Sequence, residues 1–245
     1  IEVKANAPEL LEHALRTKRK KCMIGTGSMC DPYLHIEEEL NLTRRCLELI
    51  DQYGYGVTVL TKSARVLRDL DLLQSINEKS KAVVQMTLTT FDEDLCRILE
   101  PNVSTTYERF EALMEFKRAG IPTVVWLSPI LPFINDTEDN INGILDYCIE
   151  AGVKGIICFG MGLTLREGNR EYYYRALDRH LPGLKEKYAR IYGNAYELNS
   201  PNNRQLMRIF EKRCAENGIL SRPDECFSYL QEFPLKYEQM SLFDY

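Results

Sequence analysis

The residues able to do chemistry in this chain gather in a few short stretches. Gly25-Thr26-Gly27-Ser28-Met29-Cys30-Asp31-Pro32-Tyr33 follows the apolar run Cys22-Met23-Ile24 and precedes an amphipathic, acid-rich segment. Glycine permits close backbone approach, and Ser28 and Asp31 can bond the polar groups of a ligand. A buried strand that runs into such residues presents them at its C-terminal end, where parallel α/β folds hold ligands. The same composition suits a plain turn in which Asp31-Pro32 only starts a helix. Lys62 follows a second apolar run, where a buried cation needs an anionic partner, or else it is a surface lysine opening a helix. Thr87 and Thr89 alternate with Met86 and Leu88, which gives a third strand one polar face.

These residues need elements to position them. Short apolar runs, partly β-branched, predict strands over 21–25, 57–61, 82–89, 123–127 and 155–159. Amphipathic segments over 8–20, 36–53, 68–77, 92–99, 107–119 and 138–151 predict the intervening helices, two of them stopped by Gly120 and Gly152. Strict β/α alternation implies parallel strands with right-handed crossovers. The expected fold is α/β, with five strands of a partial TIM-like barrel. Beyond Gly160, residues 169–193 and 202–217 read as helices. Residues 220–245 read as irregular because Pro223 and Pro234 break any periodicity. The chain divides into 1–194, the partial barrel, and 195–245, a C-terminal helix and tail in the same structural unit.

Length of 245 residues, 44% hydrophobic, fits one large domain with a sizeable core. A net charge of −5 excludes a basic grip on nucleic acid over the whole surface, and the run Lys18-Arg19-Lys20-Lys21 reads as a charge group at a helix end. No run is apolar enough to span a bilayer and no signal peptide is visible, so a cytoplasmic protein is expected. The eight cysteines, Cys22, Cys30, Cys46, Cys96, Cys148, Cys158, Cys214 and Cys226, show no metal-ligand spacing, so no metal site is expected within the chain. His13, His35 and His180 read as surface residues, and no Ser-His-Asp or Cys-His order is visible.

If the strands are parallel, one mouth collects Gly27, Ser28 and Asp31, then Thr61, Lys62 and Ser63, then Thr87, Thr89 and Thr90. The fourth strand adds Ser128, Pro129, Ile130 and Pro132, and the fifth Gly160, Met161 and Gly162. Such a set suits a ligand with a carboxylate, hydroxyls and a flat apolar part. The stretch 25–33, Thr61-Lys62-Ser63, Leu99-Glu100-Pro101 and Ser128-Pro129-Ile130-Leu131-Pro132-Phe133-Ile134-Asn135-Asp136 together resemble the radical S-adenosylmethionine (SAM) superfamily. Within it they resemble the spore photoproduct lyase-like branch of DNA repair photolyase type, over most of the chain to about Asn194. That resemblance implies a partial (β/α)6 barrel whose first strand leads into a Cys-x-x-x-Cys-x-x-Cys loop. The loop holds a [4Fe–4S] cluster that cleaves SAM to a 5′-deoxyadenosyl radical. Neither that loop nor its strand is present, so the cluster ligands are expected upstream of Ile1, and this fragment alone is expected to be inactive.

By the same resemblance, Ser28 and Asp31 lie near the SAM amino group and Lys62 pairs with its carboxylate. Thr87 or Thr89 bonds ribose or carboxylate, while Ser128, Pro129, Ile130 and the turn at Gly160 flank the adenine. Glu100-Pro101-Asn102 reads as structural. Arg166, Arg170 and Tyr172-Tyr173-Tyr174 either meet a nucleic-acid substrate or pack the last helix. The implied function is radical SAM chemistry, with a nucleic-acid lesion as candidate substrate; which residues act in catalysis is left open. The alternatives are a barrel aldolase or lyase using Lys62 as a Schiff-base amine, or a non-catalytic binding module. Gln239-Met240-Ser241-Leu242-Phe243 resembles the pentapeptide that docks on the DNA sliding clamp, and the same residues could instead pack on the barrel.

Overall fold

The computed structural model describes residues 2–234. The sliding-clamp-like segment Gln239, Met240, Ser241, Leu242 and Phe243 lies outside the described residues. Five strands form one parallel sheet in chain order: β1 (Met23–Thr26), β2 (Gly56–Thr61), β3 (Ala82–Thr87), β4 (Thr123–Trp126) and β5 (Gly155–Ile157). Helices alternate with them: α1 (Ala7–Thr17), α2 (Glu37–Leu40), α3 (Leu42–Tyr53), α4 (Leu70–Lys79), α5 (Glu93–Leu99), α6 (Thr106–Arg118) and α7 (Glu138–Ala151). This is the expected partial (β/α) barrel, with β1 and β5 at the sheet edges.

Period-two alternation divides each strand between two environments. Val57, Val59, Val84, Met86, Val125 and Ile156 are fully buried under the helices, in one core with Leu47, Leu73, Phe116, Ile144 and Phe210. The opposite face carries Val83, Val124 and Ile157, and beside them the more polar Gln85, which accepts a hydrogen bond from Trp126 Nε1 at 2.8 Å. Burial of the helix-side apolar groups, at about 25 cal/mol per Å2, is the main force holding the layers together.

Three segments here differ from the sequence reading. The segment 36–53 is two helices, because Asn41 takes a left-handed conformation (φ 51°). Glu37 closes that joint: its carboxylate accepts from the N–H groups of Leu42 and Thr43 at 3.2 and 2.8 Å, the orphan donors of α3. The segment 169–193 is likewise two helices, α8 (Asn169–His180) and α9 (Leu184–Tyr192), separated at Leu181-Pro182-Gly183. The basic run 18–21 trails α1, which ends at Thr17, rather than completing it.

The C-terminal region holds the larger surprises. α10 (Asn203–Glu216) is as expected, but residues 223–231, read as irregular, form α11 (Pro223–Gln231). Pro223 starts that helix, since a proline at the first helical position removes a donor that has no partner there anyway. Cys226 and Leu230 bury themselves against Val83, Val124 and Ile157, and Lys81 Nζ caps the helix end through the carbonyls of Tyr229 (2.6 Å) and Glu232 (3.2 Å). β6 (Gly162–Thr164) and β7 (Glu197–Asn199) form an antiparallel pair that period reading at three residues each could not reveal. A Cβ at Gly162 would lie 2.5 Å from the Leu198 carbonyl oxygen, so the pairing requires glycine there.

Candidate functional site

The ends of β1 and β2 are joined by one carboxylate. Asp31 accepts from Lys62 N (2.7 Å) and Thr61 Oγ1 (2.7 Å) across the strands, and from Tyr33 N (2.9 Å) within its own turn. The loop can come this close because Gly27 adopts φ +94°, where a Cβ would fall 1.9 Å from the Leu60 carbonyl oxygen. Asp31 therefore fixes the backbone that carries Lys62. Ser28 is exposed on the same loop, and Met29 beside it is 97% exposed.

The Lys62 ammonium finds its anion within the chain: it donates to Glu100 Oε1. Glu100 Oε2 faces Arg109 Nη2 at 2.8 Å, at ion-pair distance but without hydrogen-bond alignment. Arg109 is 0% exposed. Its Nη1 donates to the Thr87 carbonyl and its Nε to the Ser104 carbonyl, each at 2.8 Å. Burial alone would raise the Glu100 carboxyl, yet Arg109 and Lys62 outweigh it and hold the group below the ordinary glutamate range. The array carries two cations and one anion, so one positive charge is left over at the strand ends. In the sequence Glu100 reads as structural and nothing marks Arg109; the need of Lys62 for an anionic partner is the available signal.

Two cavities open at this end of the sheet. The first, about 450 Å3, is bordered by Lys62, Thr89, Glu100, Pro129, Leu163 and residues of α8. The second, about 520 Å3, is bordered by Ser128, Pro129, Phe159, Gly160, Leu163 and the β6–β7 pair. Pro129 and Leu163 border both. The structure thus brings Lys62, Thr89 and Pro129 to one cavity, and Ser128, Pro129 and Gly160 to the other. Gly27, Ser28 and Asp31 border neither, and of the three Asp31 is bonded to the Lys62 backbone. Thr87 lies beneath the mouth with its carbonyl on Arg109, and Ile130 is fully buried in the core.

The polar scaffold of the mouth comes from two asparagines. Asn135 and Asn140 both donate to the Thr89 carbonyl at 2.9 Å, and Asn135 Oδ1 takes Leu131 N at 2.6 Å, so the turn after β4 is tied to the end of β3. Tyr173 and Tyr188 pack α8 and α9 together through a 3.0 Å hydroxyl contact, and burial pushes the Tyr173 phenol up to about 12. Arg170 is spent on the carbonyls of Gly193 and Ala195, whereas Tyr172 stays 72% exposed at the first cavity. Of the histidines, His35 meets Arg65 on the surface and His180 borders the first cavity.

A model of the radical SAM superfamily matches residues 3–148. The chain belongs to the radical SAM superfamily. An uncharacterized protein of Mycobacterium tuberculosis is 28% identical over 211 residues, 85% of this chain and 61% of the relative. Another, from Methanocaldococcus jannaschii, is 34% identical over 138 residues, 56% of this chain and 50% of the relative. The chain thus spans some 61% of the length of the first of these relatives. Among solved structures, a spore photoproduct lyase variant with bound AdoMet and dinucleoside spore photoproduct superposes with a TM-score of 0.62 at 13% identity. That superposition covers 90% of this chain and 67% of the other and shows a shared fold.

The superfamily implies SAM and a [4Fe–4S] cluster, and the two fit this chain differently. Among the described residues, no group of three or more Cys, His, Asp and Glu could hold a metal ion. Burial raises the thiols of Cys148, Cys158, Cys214 and Cys226, the second and fourth to about 11, so these cysteines stay protonated in the core. These four cysteines are therefore not poised as thiolate ligands. The strand mouth does fit a molecule with a carboxylate and a flat ring: a surplus cation, threonine and asparagine scaffolding, and an exposed Phe159 beside the second cavity. No helix of the described residues is long and apolar enough to cross a membrane.

Proposed function

We propose that this chain is the SAM-holding barrel of a radical SAM enzyme, with the SAM carboxylate at Lys62 and the adenine side at Ser128, Pro129 and Gly160. In that superfamily the cluster supplies the electron that cleaves SAM; on this reading its thiolates come from chain preceding Ile1. The observation that carries the proposal is the Lys62–Glu100–Arg109 array at the C-terminal ends of parallel strands, in a chain of this superfamily. Asp31 fixes the Lys62 backbone, Glu100 fixes its ammonium, and the remaining N–H donors of that ammonium are free for a ligand. Asn135 and Asn140 hold Thr89 in place beside them. The nucleic-acid lesion stays the substrate class this reading favours, supported by the likeness in fold to spore photoproduct lyase.

The test is anaerobic purification of the product of the whole gene, with iron and sulfide analysis and assay for 5′-deoxyadenosine after chemical reduction with SAM. The expected result is a cluster-bearing protein that forms 5′-deoxyadenosine. A colourless, iron-free protein, with a borohydride-trapped adduct at Lys62, would replace this reading with the aldolase alternative.

A further inference from the structure

The first cavity has a charge pattern that SAM does not use up. Its charged neighbours are Lys62, Glu100, Arg179 and His180. Glu100, the one acid, is already held by two cations. Arg179 borders the cavity from α8 and makes no ion pair among the described residues; the adjacent Asp178 is taken by Lys185 at 2.6 Å. The chain as a whole carries a net charge of −5, so this wall departs from the average surface. The cavity lining is mostly apolar, and two large groups that water should disfavour are exposed on it: Tyr172, 72% exposed, and Ile98, 43% exposed. A concave apolar surface with one unpaired guanidinium matches a ligand that is flat and apolar at one end and anionic at the other.

We propose that this cavity is the substrate site, and that the substrate presents an oxyanion to Arg179 and His180 while its apolar body lies against Tyr172, Ile98 and Pro101. The assignment rests on the reading above, in which Lys62 is committed to the SAM carboxylate and the substrate oxyanion falls to the α8 wall. A guanidinium binds carboxylate and phosphate in the same forked geometry, so either group satisfies the site.

The probe is anilinonaphthalene sulfonate, an anionic aromatic fluorophore, titrated into the purified chain. Saturable binding at one site is expected. Arg179→Gln, which leaves the fold untouched because Arg179 is exposed and unpaired among the described residues, should weaken binding about 10- to 100-fold, the loss of one charge-assisted hydrogen bond. Arg175→Gln, an equally exposed cation of α8 that does not border the cavity, should leave binding unchanged. Phenyl phosphate or phenylacetate should displace the probe and benzyl alcohol should not; which of the two acids competes better identifies the oxyanion. Equal binding by wild type and Arg179→Gln, or an equal loss with Arg175→Gln, would overturn the proposal. Displacement by SAM alone would overturn it too, by giving the cavity to SAM, and would leave the radical SAM reading intact. Failure of the whole-gene protein to form 5′-deoxyadenosine while the probe still depends on Arg179 would instead defeat only that reading and keep the oxyanion site.

Discussion

Lys62 has two tasks that compete for one ammonium: it neutralises Glu100, and it faces the cavity at the strand mouth. Its replacement by alanine in the intact enzyme should weaken SAM binding by about 1.5–3 kcal/mol, the worth of a charge-assisted bond, as read by calorimetric titration. Unchanged affinity would remove Lys62 from the SAM site. Glu100 makes the complementary case. Glu100→Gln keeps the shape but leaves Arg109 buried without a carboxylate, so unfolding in denaturant should cost about 3 kcal/mol less than in wild type. The sign of its pH dependence follows from the lowered carboxyl. Because the folded group titrates below its unfolded value, its contribution is complete above about pH 4.3 and fades as pH falls below that. The stability difference between wild type and Glu100→Gln should therefore shrink on acidification from pH 6 to pH 3. A difference that stays constant over that range would show that the charge of Glu100 is not what stabilises the array.

Two elements owe their form to single residues. Asn41 turns the chain between α2 and α3 in a left-handed conformation and accepts from Arg68 Nη1 at 3.2 Å. Asn41→Ala should destabilise by about 1 kcal/mol, because alanine lacks the short polar side chain that eases asparagine into the left-handed region, and Asn41→Gly, free of the Cβ cost, should recover most of the loss. Equal thermal shifts for both substitutions would assign the effect to the Arg68 contact instead. At the other end of the chain, α11 covers the inner sheet face through Leu230, which is 5% exposed. Leu230→Ala should lower stability by about 2–4 kcal/mol in a denaturant titration, as large-to-small changes in a packed core do. A negligible change would mean that α11 is not part of the cooperative core.

The whole molecule is a sheet with helices on one face, a short helix on the other, and its candidate ligand surface at the strand ends. None of that places three thiolates together among the described residues. Incubation of this chain with iron and sulfide should accordingly give no stoichiometric cluster, followed by absorbance and iron content. A stable chromophore lost in Cys30→Ser would show that the exposed loop cysteine ligates iron after all. The whole-gene protein run in parallel separates a property of this chain from one of the enzyme.

The sheet was legible in the sequence because its strands are short, apolar and β-branched, and because parallel strands need helices between them; burial on both faces leaves little room for another reading. Lys62, Thr89 and Ser128 could be placed at one end of that sheet for the same reason, since strand direction determines which residues follow each strand. What each side chain bonds to was decided only by tertiary structure. Asp31 turned out to staple two strand ends, and Glu100 to hold Lys62 from 38 positions away, because hydrogen bonding depends on distances that local pattern does not encode. α11 shows the same limit at the scale of an element. Pro223 reads as a breaker in isolation, yet it becomes the first residue of a helix where Cys226 and Leu230 find an apolar sheet face to cover.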